Sequence, residues 1–152
     1  MLKKSESVWQ KNYKGKRGVI MENLPKGNET ILIVDDHDDI WDFLTEALQE
    51  LGYSVLLAEN GLYAVEIYRD NPNEIDLVLL DMIMPQLNGY EAFKQIKEID
   101  PNVKVLLSSG FVSGEEVKNL LEAGAQGFLA KPHRLATMAQ AIRTILDGGT
   151  IK

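Results

Sequence analysis

Residues 75–85, Ile75-Asp76-Leu77-Val78-Leu79-Leu80-Asp81-Met82-Ile83-Met84-Pro85, join an apolar run to a carboxylate at its end. The run from Leu77 to Leu80 has no polar member, which predicts a central strand of a parallel sheet that is buried on both faces. Asp81 follows at the point where this strand leaves the sheet. The carboxyl ends of strands in an open α/β sheet line the ligand crevice, so Asp81 is a candidate for chemistry. Helix capping and a solvated loop position are its alternative interpretations.

The rest of the chain alternates strand and helix from residue 29 onward. Apolar and β-branched runs predict strands over residues 30–34, 53–58, 77–80, 103–108 and 127–130. An apolar stripe with helical spacing follows each strand, and these helices end at Gly52, Asn71-Pro72, Asp100-Pro101, Gly124 and Gly148. Such βα units predict an α/β fold with a doubly wound, five-stranded parallel sheet of flavodoxin-like order 2-1-3-4-5 and helices on both faces.

Charge is distributed unevenly along the chain. The net charge is −7, but residues 1–29 carry seven Lys/Arg against three Asp/Glu, and the remainder carries nine against twenty. The sequence therefore predicts a basic, flexible N-terminal arm or linker over residues 1–29 and an acidic domain over residues 30–149. The acidic domain argues against DNA binding, whereas the arm, with Trp9, leaves contact with RNA, anionic lipid or the domain itself open.

The composition excludes several kinds of site and segment. Cysteine is absent, which rules out disulfides, thiolate metal sites and cysteine nucleophiles. No apolar run approaches the roughly 18 residues of a membrane-spanning helix, and the N-terminus lacks the apolar region of a secretory signal. We therefore expect a cytoplasmic protein without a membrane segment. Only three residues follow Gly149, so no DNA-binding or enzymatic effector domain is expected in this chain.

Polar residues follow four of the five predicted strands at one edge of the sheet. They are Asp35 and Asp36 after the first strand, Asp81 after the third, Ser108-Ser109 at the fourth, and Lys131 after the fifth. Three clustered carboxylates repel one another unless a cation lies among them, and an all-oxygen site favours Mg²⁺. A hydroxyl and an ammonium group opposite them can bind phosphoryl oxygens. This set of groups predicts transfer of a phosphoryl group onto a carboxylate.

Over residues 30–148 the chain resembles a response-regulator receiver domain of two-component signalling. The resemblance is carried by the Asp35-Asp36 pair after ILIV, Asp81 in LLDMIMPQLNG, Ser109 in LLSSGF, and Phe128 with Lys131 in GFLAKP. It implies that Asp81 accepts the phosphoryl group. It also implies that Mg²⁺ is bound by Asp36, Asp81 and the backbone carbonyl of Ile83, with Asp35 holding the water shell of the metal.

The same resemblance assigns the opposite side of the crevice. Ser109 and Lys131 would bind phosphoryl oxygens, Ser109 would couple to the aromatic residue Phe128, and the Lys131-Pro132 bond would be cis. Two residues depart from the family pattern: His37 stands where an acid is common, and Phe128 lacks the hydroxyl of the frequent tyrosine. We interpret His37 as a solvated loop residue, since Mg²⁺ prefers oxygen ligands.

Ile83 and Phe111 occupy positions, two residues beyond Asp81 and Ser109, from which a polar side chain could orient hydrolytic water. Both are apolar, which predicts slow self-dephosphorylation. We therefore expect no enzymatic activity beyond the domain's own phosphorylation and this slow hydrolysis.

The expected phosphoryl donor is a histidine kinase or a His-containing phosphotransfer protein, and the expected output is a protein-contact surface for a downstream partner. The sequence does not decide whether phosphorylation leads to a dimer. It also does not decide whether the chain is a stand-alone receiver or belongs to a hybrid kinase. Two alternatives remain: a degenerate receiver that binds partners without phosphorylation, and a flavodoxin-like nucleotide binder. The second would need a Ser/Thr/Gly-rich phosphate loop where the acidic Asp35-Asp36 pair stands.

Overall fold

The computed structural model describes residues 23–83, 87–110, 113–131 and 134–151, without the side chains of residues 38–41. Five strands alternate with five helices within these ranges. The strands are β1 (Thr30–Val34), β2 (Ser54–Ala58), β3 (Leu77–Asp81), β4 (Val105–Ser109) and β5 (Gly127–Ala130). The helices are α1 (Asp38–Glu50), α2 (Gly61–Asp70), α3 (Gly89–Ile99), α4 (Gly114–Glu122) and α5 (Leu135–Leu146).

The strands form one parallel sheet in the order β2-β1-β3-β4-β5, which confirms the predicted topology. A core cluster on one face joins residues of α1 and α5, such as Leu48 and Ile142, to alternate sheet residues such as Leu79. The cluster on the other face joins residues of α2 and α3, such as Val65 and Phe93, to the remaining sheet residues. Strand β3 lies in the middle of the sheet and all five of its residues are buried, as an unbroken apolar run requires.

Some strands begin or end at other residues than predicted. β4 begins at Val105, because the backbone N–H of Val103 bonds to the carbonyl of Asp100 in a turn (3.1 Å). β3 extends one residue further than predicted and includes Asp81, which the register pairs with Ser108. The phosphoacceptor candidate is therefore held by the sheet itself.

Side-chain caps fix the start of three helices. The side chains of Asn60, Asn88 and Ser113 accept hydrogen bonds from backbone N–H groups in the first turns of α2, α3 and α4. Gly52 ends α1 with φ +103°, and a Cβ at this position would collide with the carbonyl oxygen of Gly27. Of these signals, the helix end at Gly52 was predicted from the sequence.

Residues 23–29, the last part of the predicted arm, lie against the domain. Leu24 is buried in the core cluster of α1 and α5, and the backbone N–H of Gly27 bonds to the carbonyl of Leu51 (3.1 Å). Glu29 accepts two hydrogen bonds from Arg143 of α5, at 2.6 and 3.1 Å. Residues 1–22, which carry most of the predicted basic arm, lie outside the described residues. None of the described helices has the length and hydrophobicity needed to cross a bilayer.

Candidate functional site

The backbone of the sheet brings the polar residues to one edge. Asp35 follows β1, and its N–H bonds to the carbonyl of Ala58 at the end of β2 (3.1 Å). The N–H of Lys131, just after β5, bonds to the carbonyl of Ser109 (2.9 Å), and the N–H of Met82 bonds to the carbonyl of Ser108 (3.0 Å). The segments that follow β1, β3 and β5 therefore leave the sheet at the same edge, beside the ends of β2 and β4.

Lys131 joins the two buried carboxylates. Its Nζ lies 3.0 Å from Asp35 Oδ2 and 3.5 Å from Asp81 Oδ2. The other oxygen of Asp81, Oδ1, accepts a hydrogen bond from the backbone N–H of Ile83 (3.1 Å). Asp81 is thus oriented from both sides, with one oxygen held by the loop and the other facing the ammonium group.

Asp35, Asp36, His37 and Asp81 form a group whose ligand atoms all lie within 4.8 Å of one another. The carboxylates of Asp35 and Asp81 are 6% and 5% exposed, whereas that of Asp36 is 30% exposed and opens the group to solvent. Three carboxylates at this spacing provide the oxygen ligands that Mg²⁺ prefers, and a cation would offset their repulsion. The donor set therefore fits a divalent metal ion.

Burial raises the pKa of the Asp81 carboxyl, and the negative charge of Asp35 acts in the same direction. The ammonium group of Lys131 and the N–H of Ile83 oppose that rise. A carboxylate that is poorly hydrated and oriented in this way is available for attack on a phosphorus atom.

His37 is not simply a solvated loop residue, as the sequence interpretation had it. Its side chain is 57% exposed, but Nδ1 lies 2.8 Å from Asp35 Oδ1 and 3.1 Å from Asp36 Oδ1. The backbone N–H of His37 also bonds to Asp35 Oδ1 (2.9 Å), and this turn brings the imidazole back over the acidic pair. The hydrogen bond with Asp35 raises the pKa of the imidazole.

The predicted residues of the phosphoryl-binding side lie in different environments. Ser109 and Ser108 are both buried at the end of β4, and the register places Ser108, not Ser109, opposite Asp81. Phe128 is half-buried against the core cluster of α2 and α3. The side chain of Ile83 is exposed beside Asp81. Phe111 and Pro132, with the predicted cis bond, lie outside the described residues.

The sequence predicted that the carboxylates and the lysine lie at one edge of the sheet, where the structure places them, but it did not predict the contacts of His37 with Asp35 and Asp36. The available signal was its place directly after two acids, because an Asp side chain readily accepts the backbone N–H two residues later. That turn determines where the imidazole points.

Comparisons with known proteins agree with this fold. The response regulator receiver domain model matches residues 31–143. Sporulation initiation phosphotransferase F of Bacillus subtilis is 37% identical over 120 residues, which are 78% of this chain and 94% of that protein. A chain in the crystal structure of the CheX-CheY-BeF3-Mg²⁺ complex from Borrelia burgdorferi superposes with a TM-score of 0.74 at 31% identity, covering 77% of this chain and 88% of that one.

A longer relative contains the same unit as a small part. Sensor kinase CckA of Brucella abortus is 31% identical over 121 residues, which are 80% of this chain but 13% of the kinase. The receiver domain model matches this chain from Ile31 in β1 to Arg143 in α5, a range that includes Asp35, Asp36, Asp81 and Lys131. With its sheet order, its acidic group and this match over most of its length, the chain belongs to the response regulator receiver domain family.

Proposed function

We propose that this receiver accepts a phosphoryl group on Asp81 from a phosphohistidine of a histidine kinase or a His-containing phosphotransfer protein. The observation that carries the proposal is the buried Asp81 carboxylate, held by the N–H of Ile83 and facing Lys131 beside the Asp35-Asp36 pair. An oxygen of Asp81 forms the new O–P bond while the P–N bond to the donor imidazole breaks. The imidazole leaves with the electron pair and takes up a proton.

The acidic residues would bind the metal ion, and the residues opposite them would bind the phosphoryl group. Asp36, Asp81 and the carbonyl of Ile83 would hold Mg²⁺, with Asp35 ordering its water, and the ion would neutralise negative charge on the transferred group. Lys131 and Ser109 would bind the phosphoryl oxygens from the other side. The distance of 3.5 Å from Lys131 Nζ to Asp81 Oδ2 supports this role for the lysine.

The family and its relatives support the assignment of partners. The matching region recurs inside a sensor kinase and covers nearly all of a sporulation phosphotransferase. We propose that the phosphorylated domain acts in the cytoplasm through protein contact with a downstream partner. Its own chemistry would be limited to its phosphorylation and slow self-dephosphorylation.

Phosphotransfer is tested with acetyl phosphate as a small-molecule donor in the presence of Mg²⁺. Intact mass spectrometry of the full chain should show one labile phosphoryl adduct, located on Asp81 by reductive trapping. A protein that stays unmodified, or one modified at another residue, would refute the proposal.

A further inference from the structure

We infer that the basic segment of the N-terminal arm, residues 11–17, docks on the outward face of α1 in the same chain. This segment, Lys11-Asn12-Tyr13-Lys14-Gly15-Lys16-Arg17, contains four basic residues and no acidic one. It lies outside the described residues. The surface that fits it is defined by the charges of α1 and by the place where the arm joins the domain. This contact goes beyond the proposed function and is independent of phosphoryl transfer.

Helix α1 differs from the other described helices in the sign of its charges. It carries five acidic residues and no basic one, whereas α2, α3 and α4 each carry both signs and α5 has a single charged residue, Arg143. Four of the acids recur at intervals of four residues and therefore form one stripe along the helix: Asp38, Asp42, Glu46 and Glu50. The side chains of the last three are exposed. Because like charges at this spacing repel one another, a basic segment along the stripe stabilises the helix.

The arm joins the domain at the C-terminal end of this helix. The backbone N–H of Gly27 bonds to the carbonyl of Leu51 (3.1 Å), and Leu24 is buried in the core cluster of α1 and α5. The C-terminal end of a helix carries a partial negative charge, and the last turn of α1 contains Glu50 and no basic residue. The basic segment is therefore tethered beside the negative end of the stripe.

The length of the arm matches the length of the stripe. Helix α1 has 13 residues and is about 20 Å long. Seven residues of chain span at most about 25 Å, so residues 11–17 can cover the stripe, and residues 18–22 connect them to the described chain. Because arm and helix belong to one chain, the effective concentration of the segment is on the order of millimolar, at which several weak ion pairs together hold it in place.

The absence of cysteine permits a direct test in the full chain. Asn12→Cys keeps all four basic residues of the segment and carries a nitroxide label, whose paramagnetic broadening of backbone amides is measured by NMR. We expect amides of α1 to broaden at least about twofold more than those of α2 and α4 at low salt, and this difference to vanish in about 1 M NaCl, where the Debye length is about 3 Å.

Two charge-reversal pairs separate α1 from the acidic surface in general. Asp42→Lys with Glu46→Lys reverses two exposed acids four residues apart on α1, and Glu66→Lys with Asp70→Lys does the same on α2. Both pairs change the net charge equally, so only the position of the change differs. The α1 pair should abolish the excess broadening of α1, and the α2 pair should retain it. If the α1 pair fails to fold, Asp42→Asn with Glu46→Gln should still reduce the broadening.

Equal broadening of all helices, or equal effects of the two pairs, would show that the arm follows the net charge of the domain, and would overturn the inference. Broadening of α1 that persists in about 1 M NaCl would equally refute docking by charge. In a further sample, ¹⁵N-labelled chains without nitroxide are mixed with unlabelled chains that carry it. Excess broadening of α1 in this mixture would assign the face to the arm of a second copy and overturn docking within one chain.

Discussion

The carboxylate of Asp81 lies among groups that shift its pKa in opposite directions. Burial and the charge of Asp35 raise its pKa, while Lys131 and the N–H of Ile83 favour its ionised form. The identity of these residues was predictable, because each stands at the end of a strand that the apolar pattern located. The orientation of His37 was not predictable, because it depends on a turn of three residues whose hydrogen bonds leave no periodic signal.

At the residue scale, the side chains at positions 83 and 111 bear on how long a phosphoryl group would stay on Asp81. Ile83 is exposed beside the acceptor and cannot hydrogen-bond the water that attacks phosphorus. We predict that an Ile83→Asn, Phe111→Glu double variant loses its phosphoryl group several-fold faster than the parent, since each added orienting hydrogen bond is worth about 1 kcal/mol of barrier. The measurement is decay of the phosphoprotein in one Mg²⁺ buffer; equal decay, or faster decay of the parent, would contradict the prediction.

At the scale of the elements, β4 carries Ser109 and the neighbouring strand β5 carries Phe128. We predict that phosphorylation moves Ser109 toward the new charge and Phe128 into the vacated space, which alters the face formed by α4, β5 and α5. NMR shifts induced by beryllofluoride should spread to that face in the parent and in Ser108→Ala, but not in Ser109→Ala.

The two serines provide a matched pair for this experiment, because both are buried and adjacent in β4. Ser108 is the residue opposite Asp81 in the register. Shifts confined to the Asp81 loop in the parent, or the reverse order of the two variants, would show that the coupling does not run through Ser109.

Arg143 of α5 ties the segment before β1 to the last helix. Its guanidinium bonds to Glu29 and lowers the pKa of that carboxyl from 4.5 to about 2. A carboxyl whose pKa is lower in the folded state stabilises the fold above its unfolded pKa, and this contribution is lost as the pH falls from 4.5 toward 2.

We therefore predict that Glu29→Gln lowers the free energy of unfolding by roughly 1 to 2 kcal/mol at pH 7 and by less as the pH falls below 4.5. Urea unfolding at several pH values measures the difference. Glu74→Gln, at an exposed turn position, should change little at any pH. A Glu29→Gln deficit that is independent of pH would argue against the ion pair.

Most of the strands and helices were predictable from the sequence. The packing of one segment was not, and the reason is local. The helix end at Gly52 was predicted from the sequence, and this glycine lies just after α1. The packing of residues 23–29 was not visible, because Leu24 is a single apolar residue among turn formers and its partners lie far along the chain. One apolar residue has no periodicity from which burial could be inferred.

For the whole molecule, charge is the dominant feature. The chain carries −7 overall, and three carboxylates meet at one edge of the sheet. We predict that Mg²⁺ at ten times its dissociation constant stabilises the fold by about 1.4 kcal/mol, or a rise in Tm of roughly 3 to 5 °C.

Thermal unfolding in Mg²⁺, with Na⁺ at equal ionic strength as the reference, measures this rise. Asp36→Asn should lose most of it, and Asp42→Asn, at an exposed position of α1, should keep it. The same rise in Asp36→Asn and the parent would mean that the ion acts elsewhere on the acidic surface.

Phosphorylation of Asp81→Asn tests the central claim most directly. An Asn side chain has nearly the same shape as Asp and carries no charge. Because burial raises the pKa of the Asp81 carboxyl, its charge is unfavourable in the folded state, so the variant should be as stable as the parent or more stable. After incubation with acetyl phosphate and Mg²⁺, intact mass spectrometry should show one labile phosphoryl group on the parent and on Asp42→Asn, and none on Asp81→Asn. A phosphoryl group on a folded Asp81→Asn would contradict the assignment of Asp81 as the acceptor.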